Sequence, residues 1–425
     1  MMALILFLSF IVMIFVGVPI AFSLGLSSLI YLLLTDISLS IIPQKMFEGI
    51  NSFTLLCIPG FILAGNLMNA GGITKRIIAF TNNIVGHIRG GLGLANVGAS
   101  MGFAGISGTA LADTASIGSV MIPSMKKEGY DASFSVAVTS SSSTIGPIIP
   151  PSLPMIILGT LATVSIGDLF IAGVIPGVLL AAGLMIVTYV ISAKRKYPRG
   201  ERQSFPVIFK SFWGAFWALM MTVVILFGIL SGYFTPTEAS IIAVVYATLI
   251  GLFIYRDLKI REMPKIILDS MVSAAGIMIL VGFANLFGWI LVSERIPQLV
   301  ADFILSISDN PIIIILLINL LLLFVGTFME TIAAIVILFP VLLPIATQLG
   351  MDPVHFGVMM VLNLMIGLST PPVGVCLFVA SSIGKVSIGR ASVALLPFLA
   401  VSLIVLLLVA FIPEITLFLP SLFDN

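Results

Sequence analysis

SSSSTIGPIIPPS, residues 140–152, interrupts a chain that is otherwise almost pure hydrocarbon. Its hydroxyl run gives way to Gly146-Pro147 and then to Pro150-Pro151, and no helix runs through such a sequence. Proline removes backbone donors and glycine loosens the chain, so several carbonyls lose their helical partners. In water this is an ordinary loop. Inside a bilayer, irregular backbone survives only where protein buries it or where it lines a wet cavity.

A second copy of the device lies at residues 363–373, NLMIGLSTPPV, at a fixed distance: 367 − 146 and 371 − 150 are both 221. The same offset pairs Gly105 with Gly326, Pro123 with Pro344, Gly129 with Gly350, Asp131 with Asp352 and Pro176 with Pro397, with no gap between residues 105 and 177. Two copies of one broken-helix unit are expected, residues 1–204 and 205–425. This pattern marks secondary transporters, whose sites lie near the bilayer midplane on discontinuous helices.

The 425 residues are 60% hydrophobic and 9% charged, with a mean hydropathy of +1.25. Soluble domains carry about 25% charge, so the fold class is an all-α integral membrane protein. A net charge of +1 argues for no nucleic-acid partner. Cys57 and Cys376 lie in apolar runs and imply no disulfide framework, and His87 and His355 are too far apart for a metal site. The first 34 residues hold no Lys or Arg, so they read as membrane helix and not as a cleaved leader.

Residues 2–34 exceed one crossing and are broken at Gly17-Val18-Pro19, giving either two packed pieces or one long tilted helix. Residues 36–52 look interfacial, and 53–70 are apolar again. The most basic loop holds Lys194, Arg195, Lys196, Arg199 and Arg202 against Glu201. Spans near 211–231 and 237–255 return to a second basic loop, 256–265, which places both loops in the cytoplasm. A span near 267–292 then leads to an acidic outer segment with Glu294, Arg295, Asp302 and Asp309. The first copy thus ends inside where the second begins. With an odd number of crossings each, the copies are inverted, and the chain ends, Asp424-Asn425 included, lie outside.

Asp113 and Glu330 are the best-placed charges within apolar spans. Such groups are functional candidates, because they are expensive unless paired or hydrated. The bland alternative is a neutral acid or a helix cap. A dehydrated Na⁺ is a hard cation that carbonyl and hydroxyl oxygens satisfy without a buried charge. The first copy offers Ser107 and Thr109 with carbonyls at Gly146, Ile149 and Pro151. The second offers carbonyls at Gly326, Met329, Gly367 and Pro372 with the Thr370 hydroxyl. Half-helix C-termini favour cations and half-helix N-termini favour anions, a layout suited to coupling Na⁺ entry to anion uptake. A proton replaces Na⁺ if either acid titrates. Enzymatic readings fail: no phosphate-binding loop is present, the serine run lacks a histidine base, and the repeat pairs Asp113 with Ala334 and Glu330 with Thr109, not with each other.

GISGTALADTASIGSVMIP (105–123), SSTIGPIIPPS (142–152), GTFMETIAAIVILFPVLLP (326–344) and IGLSTPPVG (366–374) together resemble the large membrane subunit of tripartite ATP-independent periplasmic (TRAP) transporters. The resemblance covers essentially the full length. It implies two inverted-topology repeats with re-entrant hairpins, a scaffold, and a transport domain that moves as an elevator. It also implies Na⁺ as coupling ion, a small four-helix membrane subunit and a periplasmic substrate-binding protein as partners, and the bacterial inner membrane as location. The small subunit is not expected to be fused, since the chain starts at the large subunit's first helix. The family's cation ligands would fall on the ten oxygen-bearing residues above, with Met329 serving through its carbonyl alone. Asp113, with Ser143 and Asn363, would lie at the substrate cavity. Family substrates are mostly organic acids; sialic acid is preferred and C4-dicarboxylates follow. The alternative is a self-sufficient Na⁺- or H⁺-coupled organic-anion carrier of the C4-dicarboxylate type, and a third class is an ion channel.

Overall fold

The computed structural model describes residues 2–300 and 310–423, and every described element is helical. Of the residues named above, Asp302, Asp309, Asp424 and Asn425 lie outside the described residues, as does the Ser107 side chain.

The opening apolar run resolves into two pieces, α1 (Met2–Val16) and α2 (Ile20–Leu34), separated at Gly17, whose φ of +91° only glycine adopts without strain. Helix α3 (Ile41–Ile50) buries none of its residues. The chain turns by 69° into α4 (Cys57–Ala70), and α5 (Ile73–Val85) follows. The remainder of the first half is α6 (Gly91–Ser107), α7 (Ala110–Lys127), α8 (Ala132–Ser142), α9 (Leu153–Ala162) and α10 (Ile166–Lys194). Helices α11 (Phe205–Leu230), α12 (Pro236–Leu249, extended by a π-helical turn to Tyr255) and α13 (Met263–Ser293) open the second half. It closes with α14 (Pro311–Gly326), α15 (Thr331–Gln348), α16 (Pro353–Ser369), α17 (Val375–Gly384), α18 (Ile388–Phe411) and α19 (Glu414–Ser421). Six helices among the described residues are long and apolar enough to cross a membrane.

The breaks fall where the sequence places them, and the caps repeat with the sequence. Thr109 and Glu330 are the N-caps of α7 and α15, and Asp131 and Asp352 those of α8 and α16, each through its side chain. Gly129 and Gly350 take φ of +85° and +81° between those helices, and Pro150-Pro151 and Pro371-Pro372 are both cis. Beyond the prolines the correspondence shifts. The caps Ser165 and Ser387, opening Val164–Gly167 and Val386–Gly389 of identical sequence, are 222 apart, as are the left-handed Thr163 and Lys385. The ungapped alignment to residue 177 is therefore corrected: the second copy has one extra residue after Pro372, and Pro176 and Pro397 stand one position out of step. That residue lets Gly374, at φ +50°, donate its N–H to the Thr327 carbonyl at 3.0 Å and tie the two breaks of that copy together.

Each copy contributes to two bundles. In the first, α4 lies on α12, and α2 and α3 lie on α13. Small residues permit close approach there: Gly60 faces Ser240, Gly49 faces Asn285, and the Asn285 amide donates to the Lys45 carbonyl at 2.9 Å. In the second, α17 packs on α7 and α8, α18 on α8 and α10, and α15 on α9. Asn69, donating to Ser116 at 3.1 Å, crosses between the bundles, and Thr222 of α11 donates to the Gly105 carbonyl of α6 at 3.2 Å.

A methyl at Gly367 would stand 2.6 Å from the Gly326 Cα, backbone against backbone. Gly367→Ala is expected to destabilise the chain by about 1–3 kcal/mol, read as a lower thermal unfolding midpoint in detergent. Gly276→Ala, which meets open space, leaves it unchanged or raised.

Candidate substrate and cation site

The N-termini of α7 and α15 open on one cavity of about 230 Å³. Thr109, Ala110 and Leu111 line it from the first copy, Glu330, Thr331 and Ile332 from the second. Pro147 and Leu368 bring in the hairpin breaks, and Ile277 of α13 supplies a wall from the other bundle. A neighbouring cleft of about 180 Å³, lined by Asn66, Asn69, Thr109, Ser116 and Ser273 among others, continues between the bundles.

The two helix N-termini differ. Glu330 accepts from the Ile332 and Ala333 N–H groups at 2.9 and 3.2 Å, so its own carboxylate satisfies α15. The bland reading of Glu330, a helix cap, is therefore what the structure contains. Thr109 accepts from Ala112 at 3.4 Å on this helix end, and the Ala110 and Leu111 N–H groups donate to no described backbone carbonyl. The N-terminus of α7 thus faces the cavity without a carboxylate cap like that of α15, the acid of its first turn, Asp113, being buried beside Gly146.

The cation candidates gather by copy. In the first, Gly108, at φ +61°, abuts the Pro151 carbonyl: a Cβ there would lie 3.4 Å from it. The carbonyls of Gly146, Ile149 and Pro151 accept no hydrogen bond from any described residue, although Gly146 and Pro151 are buried. Buried carbonyls are rarely left so. In the second copy, Gly326 and Gly367 are in backbone contact, and the carbonyls of Gly326, Met329 and Pro372 likewise accept nothing. The Gly367 carbonyl takes the Thr370 N–H at 2.8 Å. The Thr370 hydroxyl spends its proton on the Ile366 carbonyl at 2.7 Å, leaving its lone pairs for a cation. Orphaned carbonyl oxygens with one hydroxyl form a donor set that fits a hard monovalent cation.

Asp113, Ser143 and Asn363 do not line the cavity. All three are fully buried. Asp113 stands beside Gly146, and neither carboxylate oxygen has a hydrogen-bond partner. The nearby Ser100 and Ser143 hydroxyls donate elsewhere, to Ser142 and the Thr139 carbonyl. Asn363 donates to the carbonyl and side-chain oxygens of Asn319 and keeps its own Oδ1 unpartnered. Sequence reasoning missed Ile277, Met365 and Cys376 in the cavity wall. All are apolar residues in apolar runs, and no local signal marks them.

A family model described as "Tripartite ATP-independent periplasmic transporter, DctM component" matches residues 7–415. This chain belongs to that family. The sialic acid TRAP transporter large permease protein SiaM of Vibrio cholerae is 45% identical over 97% of this chain and 96% of its own length. The C4-dicarboxylate TRAP transporter large permease protein DctM of Pseudomonas aeruginosa is 43% identical over 94% of each chain. The isethionate TRAP transporter permease protein DctMQ of Oleidesulfovibrio alaskensis is 42% identical over 95% of this chain and 64% of its own. Among solved structures, the YdaH transporter of Alcanivorax borkumensis shares the fold, with a TM-score of 0.61 over 88% of each chain at 13% identity. As a TRAP large permease the chain is a multi-pass membrane transporter component and not an enzyme.

Replacing Glu330 separates its capping from its charge. Glu330→Ala is expected to lower stability by about 1 kcal/mol, whereas Glu330→Gln, which still offers an acceptor oxygen, retains most of it; thermal unfolding of both variants distinguishes the cases.

Proposed function

We propose that this TRAP large permease couples Na⁺ entry to uptake of a small organic acid, sialic acid first, in the bacterial inner membrane. Its partners are a small four-helix membrane subunit and a periplasmic binding protein that delivers the substrate. The named substrates of the three relatives are all organic anions. Their nearly equal identities support an anionic acid more strongly than any one acid, and sialic acid rests on the first relative. The observation that carries the reading is the N-terminus of α7, without a carboxylate cap, in one cavity with α15 and flanked by orphaned carbonyls in both copies.

An acid group docks at the Ala110 and Leu111 N–H groups; in the second copy Glu330 itself accepts from Ile332, the counterpart of Leu111. Na⁺ ions at the breaks, held by Thr109, Gly146, Ile149 and Pro151 with Ser107, and by Gly326, Met329, Gly367, Thr370 and Pro372, complete the carbonyl coordination and stabilise the cavity's shape. Asp113 lies behind the first set, beside Gly146, where its charge favours cation occupancy. Residues 1–204 and 205–425 are inverted repeats, with the first bundle as scaffold and the second as the moving elevator. Easily exchanged hydrogen bonds such as Asn69 to Ser116 favour sliding over a fixed interlock.

Reconstitution with both partners should give sialic acid uptake driven by an inward Na⁺ gradient. Uptake by this chain alone would favour a self-sufficient carrier, and ion flux without substrate a channel. Thr370→Ala removes one oxygen ligand, worth about 1 kcal/mol or a factor near five to ten in site affinity. The Na⁺ concentration for half-maximal uptake should rise accordingly, and an unchanged titration takes Thr370 out of the site. Asp113→Asn keeps the shape and removes the charge; uptake should fall at least ~10-fold while the assembled complex elutes normally.

A further inference from the structure

The N-terminal half of α11 carries an aromatic stripe that nothing in the described chain covers. Phe205, Phe209, Trp213 and Trp217 recur every fourth residue, and the first three are 77%, 51% and 48% exposed. Successive rings touch, Phe205 to Phe209 at 6.2 Å and Phe209 to Trp213 at 6.1 Å between centroids. Twelve residues of helix span about 18 Å, close to the depth of one leaflet of hydrocarbon, ~15 Å.

At the head of this stripe stands the strongest concentration of positive charge in the chain. Lys194, Lys196, Arg199 and Arg202 precede α11, and Lys210 sits within its second turn; all are exposed, and none forms an ion pair among the described residues. Arg195 alone reaches an acid, Asp131 at 4.0 Å. Glu201 and Glu128, beside Arg199 in a shallow cleft, are outnumbered. The loop is fixed in place, with the Gly200 N–H donating to the Gly86 carbonyl at 2.9 Å and the Tyr130 hydroxyl to the Pro198 carbonyl at 3.3 Å. A held cluster of unpaired cations therefore caps an uncovered aromatic track one leaflet long.

We propose that this face binds an anionic phospholipid, its headgroup phosphate on the Arg199–Lys210 cluster and an acyl chain along Phe205, Phe209, Trp213 and Trp217. The charge decides the occupant. A protein helix would match the rings but leaves five cations without counter-charge, and a zwitterionic lipid neutralises them only locally. Each cation near an anionic surface multiplies partition by about five, so a site using two or three of them discriminates by more than tenfold. The inference needs only that α11 crosses a membrane and does not depend on the transported substrate.

The chain contains three tryptophans, so Trp289→Phe leaves Trp213 and Trp217 as reporters. The full-length variant is reconstituted in vesicles of increasing dibrominated phosphatidylglycerol or dibrominated phosphatidylcholine, whose bromines quench only tryptophans in contact with the acyl chain. Half-maximal quenching is expected at a mole fraction of phosphatidylglycerol at least fivefold lower. Adding Arg199→Gln, Arg202→Gln and Lys210→Gln should bring the two lipids together while phosphatidylcholine still quenches, which shows that the helix remains in place. Equal quenching by both lipids in the parent would overturn the proposal. So would quenching by neither, since the stripe would then be covered by protein, a second copy or a membrane partner.

Discussion

A peptide group stripped of its helical partner inside a bilayer must find another, and this constraint organises the molecule. Four breaks leave backbone groups unpaired at membrane depth, and lipid cannot satisfy them. They are brought against one another: Gly108 against Pro151, Gly326 against Gly367, Gly374 onto Thr327. Burial in protein excludes lipid, yet it does not pair every oxygen. The carbonyls that remain are gathered at the breaks, so the geometry that makes the fold tolerable in a membrane also concentrates oxygen donors.

The two copies diverge at one position with large electrostatic consequence. Thr109 and Glu330 occupy equivalent caps, 221 residues apart. Glu330 places its own carboxylate on the Ile332 and Ala333 N–H groups of α15, while at α7 the cap is a neutral hydroxyl that accepts from Ala112, the counterpart of Ala333. Duplication supplies two positive helix ends, and a single substitution gives a carboxylate cap to one and a hydroxyl cap to the other. A symmetric pair would hold either two internal carboxylates and repel an acid, or none and leave the cavity strongly positive.

The breaks, the caps at Asp131 and Asp352, and the turns at Gly129 and Gly350 were legible because Gly, Pro and Asp act locally. What stayed hidden depends on packing. The extra residue after Pro372 is invisible while Pro176 and Pro397 happen to align, and emerges only from which serine caps which helix. Glu330 as a cap and Asp113 facing Gly146 depend on which way one helix turn is rotated. The wall at Ile277 belongs to a helix whose sequence is uniformly apolar, so only the bundle arrangement selects it.

Asp113 now bears the sharpest physical demand in the structure. It is fully buried, its oxygens have no donor, and no Lys or Arg among the described residues forms an ion pair with it. An ionised carboxylate in that position costs several kcal/mol unless a positive charge joins it. No cationic side chain among the described residues pairs with it, and the neighbouring polar groups are the Ser100 and Ser143 hydroxyls, which also reach Ser142 and the Thr139 carbonyl. The acid is relieved either by keeping its proton or by a cation from solution, and the oxygens nearest to hand for a cation include those around Gly146, which Asp113 adjoins.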